Sequence, residues 1–576
     1  MVLRTFPRQS RLHESVVAAG SLGFLLTGLL AVLLALSACT RSPSPPDAAL
    51  QSFSAEALMR HIRLLSSDEF EGRAPGSRGE QLTIQDLEEQ FRGAGLEPGN
   101  PDGSYLQNVP LVGIRPDPNM KLTFSVHGRA LEPKFQKDYV AWTKRMQESV
   151  AIDAEMVFVG YGVQAPEFQW DDFKGTNVRG KVIVVLINDP PVEDEGIFGG
   201  KAMTYYGRWT YKFEKAAELG AAACLIIHDT ERAGYPWEVV RTGFSGEQFD
   251  LASPDKNAGR VAIEGWISGE QAAALFRLAG KDLAMLTHAA VSRDFKPVPL
   301  GVVARLTIRN TLRPVESHNV IAKLTGSDPK LKDESIVYVA HWDHFGVGSA
   351  VKGDNIYHGA KDNASGTAAL IEMARAFRRL AVPPRRTLLF LAATAEEQGL
   401  LGSRYYAEHP LYPLARTAAA INMDSLNVLG RTRDIVLIGR GSSTLDELVE
   451  DLARQQGRTV KGDAEPEKGF FYRSDHFNFA KRGVPAFDPD AGIDYIGKPA
   501  GWGLEMRRRY TLEDYHKPSD MIKDYWDLSG LVQDCQLYLL VGYRVADDPR
   551  VPEWKPGAEF KAVRDASLRQ AGHASP

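Results

Sequence analysis

Apolar residues recur at helical spacing from Ala55 to Leu65 and again from Gly79 to Ala94, so two amphipathic helices are predicted there, the second stopped by Gly95. The loop between them, Ser66 to Gly76, is polar and rich in turn formers. From about Pro118 to Leu312 the texture changes to short β-type runs, including Glu155 to Gly162 and Lys181 to Ile187, which read as an inserted β-rich domain. From His318 onward, the apolar runs Ile336 to Ala340, Leu388 to Ala393 and Ala418 to Met423 alternate with helical stretches such as Gly366 to Leu380 and Gly402 to Glu408. That alternation predicts an α/β fold with a mixed, mostly parallel central sheet and helices on both faces. Ligands in such sheets gather where the strands end.

Length and composition refine this picture. A chain of 576 residues exceeds a single core and implies two or three domains. The net charge of −5 is spread along the sequence instead of forming blocks, which gives no nucleic-acid surface. The first residues differ from the rest: Arg4, Arg8 and Arg11 precede an apolar stretch from Leu22 to Leu36 and the tetrapeptide Leu36-Ser37-Ala38-Cys39. This reads as a bacterial signal peptide, and the tetrapeptide resembles a lipobox, in which the cysteine is acylated and anchors the protein to a membrane. An uncleaved transmembrane anchor ranks second, because small residues before a lone cysteine and the Pro/Ser-rich stretch to Pro46 look like a cleavage site and tether. Thr40 is not the aspartate that retains such lipoproteins at the inner membrane, so the expectation is export to the envelope, outer membrane favoured, facing the periplasm or exterior. Only Cys224 and Cys535 remain in the body, and Cys224 lies in an apolar run, so a metal site here must use oxygen and imidazole ligands.

Several motifs are excluded. Gly175 to Lys181 has the spacing of a phosphate loop, but Val182 replaces the hydroxyl residue and a strand follows. There is no Gly-x-Ser-x-Gly elbow and no His-Glu-x-x-His helix. What stands after the predicted strands is different: His341-Trp342-Asp343-His344 after the first, Glu396-Glu397 after the second, and Asp424 after the third. Asp362 lies in the turn-rich loop between the first two, and His516 stands near the C-terminus. Each alone reads as a cap or a solvated side chain. Together they crowd carboxylates that repel one another unless a cation intervenes.

The strings AHWDHFG, GAKDNASG, EEQGLLGSRYY, NMDS and YHKPSD resemble those of the co-catalytic zinc aminopeptidases, a family that also contains glutamate carboxypeptidases and glutaminyl cyclases. The likeness covers LSSDEFEGRAPGSRGE and nearly everything from His318 to about Ala546. The middle, with Phe158 to Gly162 and Gly180 to Ile183, resembles a protease-associated domain. The implied layout is a signal peptide (1–38), a tether (39–50), a first part of a zinc exopeptidase domain of phosphorylase/hydrolase-like fold (51–117), the insertion (118–312), the catalytic part (313–546) and a tail (547–576).

The resemblance implies two zinc ions, one held by His341, Asp362 and Asp424 and the other by Asp362, Glu397 and His516, with Asp362 bridging. A carboxylate can span cations about 3.5–4 Å apart, whereas an imidazole ligates one. Manganese or cobalt would also suit these donors. By the same resemblance Asp343 accepts the second imidazole N–H of His341, and Glu396 is the general base that takes a proton from the metal-activated water and passes it to the leaving amine. Lys361 departs from the family pattern, which more often has a neutral polar residue there, and its side chain is expected to reach solvent. Arg473 to Phe477 is read either as a wall of the substrate pocket or as a structural turn. The expected activity is removal of N-terminal residues from peptides. The alternatives are a carboxypeptidase of the glutamate-releasing type, which needs a basic pocket for a free carboxylate, a non-catalytic binding protein on the same fold, and, further off, a glutaminyl cyclase.

Overall fold

The computed structural model describes residues 46–192, 194 and 196–572, so the apolar N-terminal stretch and Cys39 lie outside the described residues. The chain divides into two units, Met1–Ala48 and Ala49–Pro576, and all elements below belong to the second. Among the described residues no helix is long and apolar enough to cross a membrane.

Three strands, Ser335–His341, Thr387–Ala393 and Thr417–Asn422, are buried at every position. They run parallel, with Tyr338 beside Phe390 on one side and beside Ile421 on the other. Burial on both faces explains why these runs are continuously apolar instead of alternating. Odd and even side chains enter different cores. Ile336, Tyr338, Ala340, Leu388 and Phe390 pack with Leu370 and Phe377 of the helix Ser365–Arg378 and with Leu531 and Leu537 of the helix Ser529–Asp547. Val337, Val339, Leu389 and Leu391 pack on the opposite face with Tyr406 of Leu401–Glu408 and Phe479 of His476–Lys481. Ala486–Asp490 extends the parallel run, while antiparallel partners close the flanks, Val298–Leu324 on one side and Asp434–Ile438 on the other. The central sheet is therefore mixed, parallel at its middle and covered by helices on both faces, as expected.

The predicted helices of the first segment form at Ala55–Leu65 and Arg78–Gly93. The second is capped at its start: Ser77 Oγ accepts the Glu80 N–H at 3.3 Å, and the Glu80 carboxylate reaches back to accept the N–H of Gly76, the residue before the cap. Glu80 also accepts from Ser317 Oγ at 2.8 Å, which ties this helix to the sheet.

The insertion carries helices beside its many strands. Val182–Leu186, Ala223–Ile227 and Ile263–Ile267 are parallel neighbours, with the helix Trp209–Glu218 between the first two in sequence and the helix Gly269–Leu278 directly after the third. It is an α/β unit, because these helices bury apolar faces (Tyr211, Phe213 and Ala216; Ala272, Leu275 and Phe276) against the sheet. The predicted boundary at residue 312 falls inside one continuous strand, Val298–Leu324, whose first half pairs with Ser149–Phe158 and whose second half pairs with Leu106–Pro116 and Thr387–Ala393. Gln248–Leu251, inside the insertion, pairs with Leu106–Pro116 as well. The insertion is thus hydrogen-bonded into the same framework as the central sheet.

One glycine sets how closely the C-terminal helix approaches that sheet. A Cβ on Gly542 would stand 1.8 Å from Tyr338 Oη, which donates to the Tyr538 carbonyl at 2.9 Å. Gly542→Ala is expected to lower stability by about 1–3 kcal/mol, the usual cost of overpacking, read as a lower denaturant midpoint with unchanged slope. A neutral or stabilising result would contradict the close approach.

Candidate metal centre

The carboxyl ends of the three central strands deliver the site. His341 is the last residue of its strand, Asp424 follows the strand Thr417–Asn422 by two residues, and Glu396 and Glu397 open the turn after Thr387–Ala393. Asp362 lies in the segment leading into the helix Ser365–Arg378, whose Gly366 admits the Met423 carbonyl where a Cβ would stand 2.1 Å from it. His516 follows the helix Trp502–Glu513.

These residues converge. His341 Nε2 lies 3.4 Å from Asp362 Oδ1, 3.3 Å from Asp424 Oδ1 and 3.8 Å from Glu396 Oε2. His516 Nε2 lies 3.4 Å from Asp362 Oδ2 and 3.1 Å from Glu397 Oε2. The two oxygens of Asp362 therefore face two different imidazoles. His341, Asp362 and Asp424 each offer one donor atom within 4.8 Å of the others, and so do His344, Asp362 and Glu397. His344 was not among the sequence candidates, although it stands three residues after His341. Its Nδ1 lies 2.5 Å from Glu397 Oε1.

Asp343 acts differently from its expected part. The His341 Nδ1 faces the backbone carbonyl of Asp343 at 3.2 Å, while the Asp343 carboxylate is 3.8 Å away. That carboxylate accepts the backbone N–H of Glu396 at 2.9 Å and of Glu397 at 3.4 Å, so it braces the acidic turn. Asp520 does the same for the other loop, accepting from the Asp362 N–H at 3.0 Å and the Lys361 N–H at 3.2 Å. Ser474 Oγ donates to Asp424 Oδ2 at 2.6 Å, which gives the Arg473–Phe477 segment a contact with the cluster. Lys361 does not reach for solvent: its Nζ lies 4.0 Å from the centre of the Tyr510 ring, and burial lowers its pKa. Arg73, from the early segment, is 1% exposed and donates to the carbonyls of Trp342 at 2.8 Å, His358 at 2.8 Å and Gly359 at 3.0 Å. It clamps the loops that follow His341 and precede Asp362.

The electrostatics are those of crowded acids in a dry wall. Burial raises Glu396 and Glu397 well above the ordinary carboxylate range, reinforced by Asp424 and Asp475 around the first and by Asp362 and Glu396 around the second. Burial likewise lifts Asp343 to about 7 and Asp520 to about 7. For His341 burial opposes the charge, but Glu396, Asp424 and Asp362 outweigh it and raise the imidazole. For Asp362 the imidazoles of His341 and His516 outweigh burial and hold it low. Oxygen and imidazole donors in this arrangement suit a divalent cation such as zinc. They line one side of a cavity of about 540 Å³ whose other side comes from the insertion, including Arg208, Trp209 and Tyr235.

Residues 319–540 match peptidase family M28. The chain is 28% identical over 255 residues to leupeptin-inactivating enzyme 1 of Streptomyces exfoliatus, covering 44% of this chain and 53% of that protein. It is 38% identical over 96 residues to aminopeptidase YwaD of Bacillus subtilis (strain 168), covering 16% of this chain and 19% of that one. The first match thus spans about half the length of that relative. Among solved structures, the aminopeptidase from Aneurinibacillus sp. strain AM-1 shares the fold with a TM-score of 0.52 at 21% identity, covering 88% of this chain and 97% of that chain.

Chelation is expected to lower the melting temperature, and the metal-free protein to lose stability as pH rises from about 6.5 to 8. Glu396, Glu397 and Asp343 have raised folded pKa values, so the stability they add is complete below their unfolded pKa near 4 and is lost as pH passes their folded values, about 7 for Asp343. His344, lowered chiefly by burial, is neutral in the folded state, and the last half-proton its unfolded form releases above about pH 6.5 offsets only a small part of the slope. Zinc should flatten it; a metal-free melting temperature that holds or rises over this window in thermal scans would refute the account. Residues 319–540, the segment that carries most of this cluster, are thus similar to peptidase family M28, and the sheet beneath them shares its fold with the Aneurinibacillus aminopeptidase.

Proposed function

We propose that the chain is a zinc-dependent aminopeptidase that hydrolyses the N-terminal residue from peptides at a pair of metal ions. The observation that carries this reading is Asp362, whose two oxygens face His341 and His516 separately. His341, Asp362 and Asp424 would hold one ion and Asp362, Glu397 and His516 the other, with His344 packed behind Glu397. Zinc at such donors lowers the pKa of water and polarises a carbonyl. Glu396 is the proton carrier: its carboxyl has a raised pKa, which suits a base that takes a proton from water and returns it to the leaving amine. Asp343 positions it by holding its backbone N–H, and the insertion's side of the cavity limits the water around the reacting groups. Similarity to proteins named aminopeptidases supports the choice of the amino end. Manganese or cobalt would serve the same donors.

Glu396→Gln should lower kcat by about 10²–10⁴-fold while leaving zinc bound, measured as turnover of aminoacyl anilides beside metal analysis. Free-amine anilides should be cleaved and their N-acetylated counterparts spared. Near-normal turnover by the variant, or cleavage of both series alike, would sink the assignment.

We also propose export and a lipid anchor at Cys39, on the strength of Leu36-Ser37-Ala38-Cys39 and the apolar stretch before it. Cys39→Ser is then expected to abolish incorporation of labelled fatty acid and release the protein from the membrane fraction. Undiminished labelling of that variant would rule out the anchor.

A further inference from the structure

One side chain on the insertion's side of the cavity has no part in the chemistry above. Arg208, at the start of the helix Trp209–Glu218, is 8% exposed, forms no ion pair among the described residues, and its Nε has no hydrogen-bond partner there. Burial brings its pKa down to about 10, and the nearby Arg473 pushes the same way; the other groups acting on it are the hydroxyls of Tyr235, Tyr515 and Tyr205. Arg473 also lacks a carboxylate. It lies 5.4 Å from the centres of the Tyr235 and Phe470 rings, donates to the Ala233 carbonyl at 3.0 Å, and keeps a buried Nε without a partner. The other arginines on this cavity are all paired: Arg260 with Glu264 at 3.4 Å, Arg404 with Glu408 at 3.2 Å and Arg507 with Asp490 at 2.9 Å.

Buried charges in folded proteins are normally paired, and a guanidinium cannot escape the cost by losing its proton. Arg208 is such a charge, and the half-buried Arg473 near it has no paired acid either, which leaves room for an anion that the chain does not supply. The cavity that holds them also holds Asp362, Glu396, Glu397 and Asp424, so the anion and the scissile bond can belong to one small molecule. An extended peptide of two or three residues spans roughly 7–11 Å, and a cavity of about 540 Å³ lies in the range of small-ligand sites.

We infer that Arg208 and Arg473 form a carboxylate subsite, and that the preferred substrates are short peptides carrying a free carboxylate just beyond the scissile bond. The inference rests on the exopeptidase reading and adds the substrate class to it. The planar guanidinium fork suits a carboxylate, either the C-terminus of a dipeptide or tripeptide or an acidic side chain at the same place.

The test uses the zinc-loaded full chain with Leu-Leu against Leu-Leu-amide, and Leu-Asp-amide against Leu-Asn-amide. A charge-assisted contact of this kind should favour the carboxylate member by about 10- to 100-fold in kcat/KM, mostly through KM. Preference in the first pair assigns the subsite to the C-terminus, and preference in the second assigns it to an acidic side chain. Arg208→Gln should reduce the ratio at least tenfold, Arg473→Gln should reduce it as well, and Arg208→Lys should fall between, keeping the charge without the fork. Calorimetry of Leu-Leu and its amide on the Glu396→Gln protein reads the same preference without turnover. Equal handling of acid and amide in both pairs by the wild type, or an Arg208→Gln protein that loses both activities in equal proportion, overturns the subsite while leaving the aminopeptidase reading intact. Cleavage of N-acetyl-Leu-Leu as fast as Leu-Leu overturns the aminopeptidase reading itself, and with a retained acid preference it keeps the subsite for a carboxypeptidase.

Discussion

Carboxylates brought together out of water repel one another, and the architecture around Asp362, Glu396, Glu397 and Asp424 is organised to hold them against that repulsion. Imidazoles stand between them: His341 within 3.4 Å of Asp362 and Asp424, His516 within 3.4 Å of Asp362 and Glu397. Arg73 supplies a fixed positive charge behind them and is bonded to the backbone on both sides of the ligand loops. Asp343 and Asp520 work through backbone N–H groups, holding the turns that present the acids. A divalent cation completes this arrangement because it neutralises charge that neither burial nor hydrogen bonding can remove.

The scaffold explains why acids so far apart in sequence arrive together. Parallel neighbouring strands end at the same edge of a sheet, and the three central strands present His341, Glu396, Glu397 and Asp424 there. The single strand Val298–Leu324 runs from the insertion's sheet into the central one, and Gln248–Leu251 adds a second stitch. A wall attached by continuous backbone hydrogen bonding sets the cavity's size and chemistry as firmly as the floor does. Its aromatic and basic lining gives this chain's cavity a character that the metal ligands alone would not.

The central runs were legible because full burial on both faces writes an uninterrupted apolar signature, and the chemistry-bearing residues stand directly after each run. Ile336–Ala340 followed by His341 is such a case, and Ala418–Met423 followed by Asp424 is another. Less legible were features whose cause lies in another part of the chain. His344 reads as one more polar residue in a loop until Glu397 is placed 2.5 Å from it. Lys361 looks bound for solvent until Tyr510 is folded over it. The helices of the insertion were hidden among short β-type runs, since their apolar faces are brief and only the sheet beneath them fixes their state.

By itself the sequence determined the alternation of strands and helices, the oxygen and imidazole character of the donor set, and the places where those donors stand relative to each strand. Those properties are local, set by side-chain periodicity and residue chemistry within a few positions. Tertiary structure alone decided that Asp362 faces two imidazoles at once, that Asp343 braces a turn through its carboxylate, and that Arg208 is buried near Arg473 with an Nε that has no partner among the described residues. Such facts depend on distances between side chains tens to hundreds of residues apart, and charge interactions at those distances are fixed only when the backbone has closed around them.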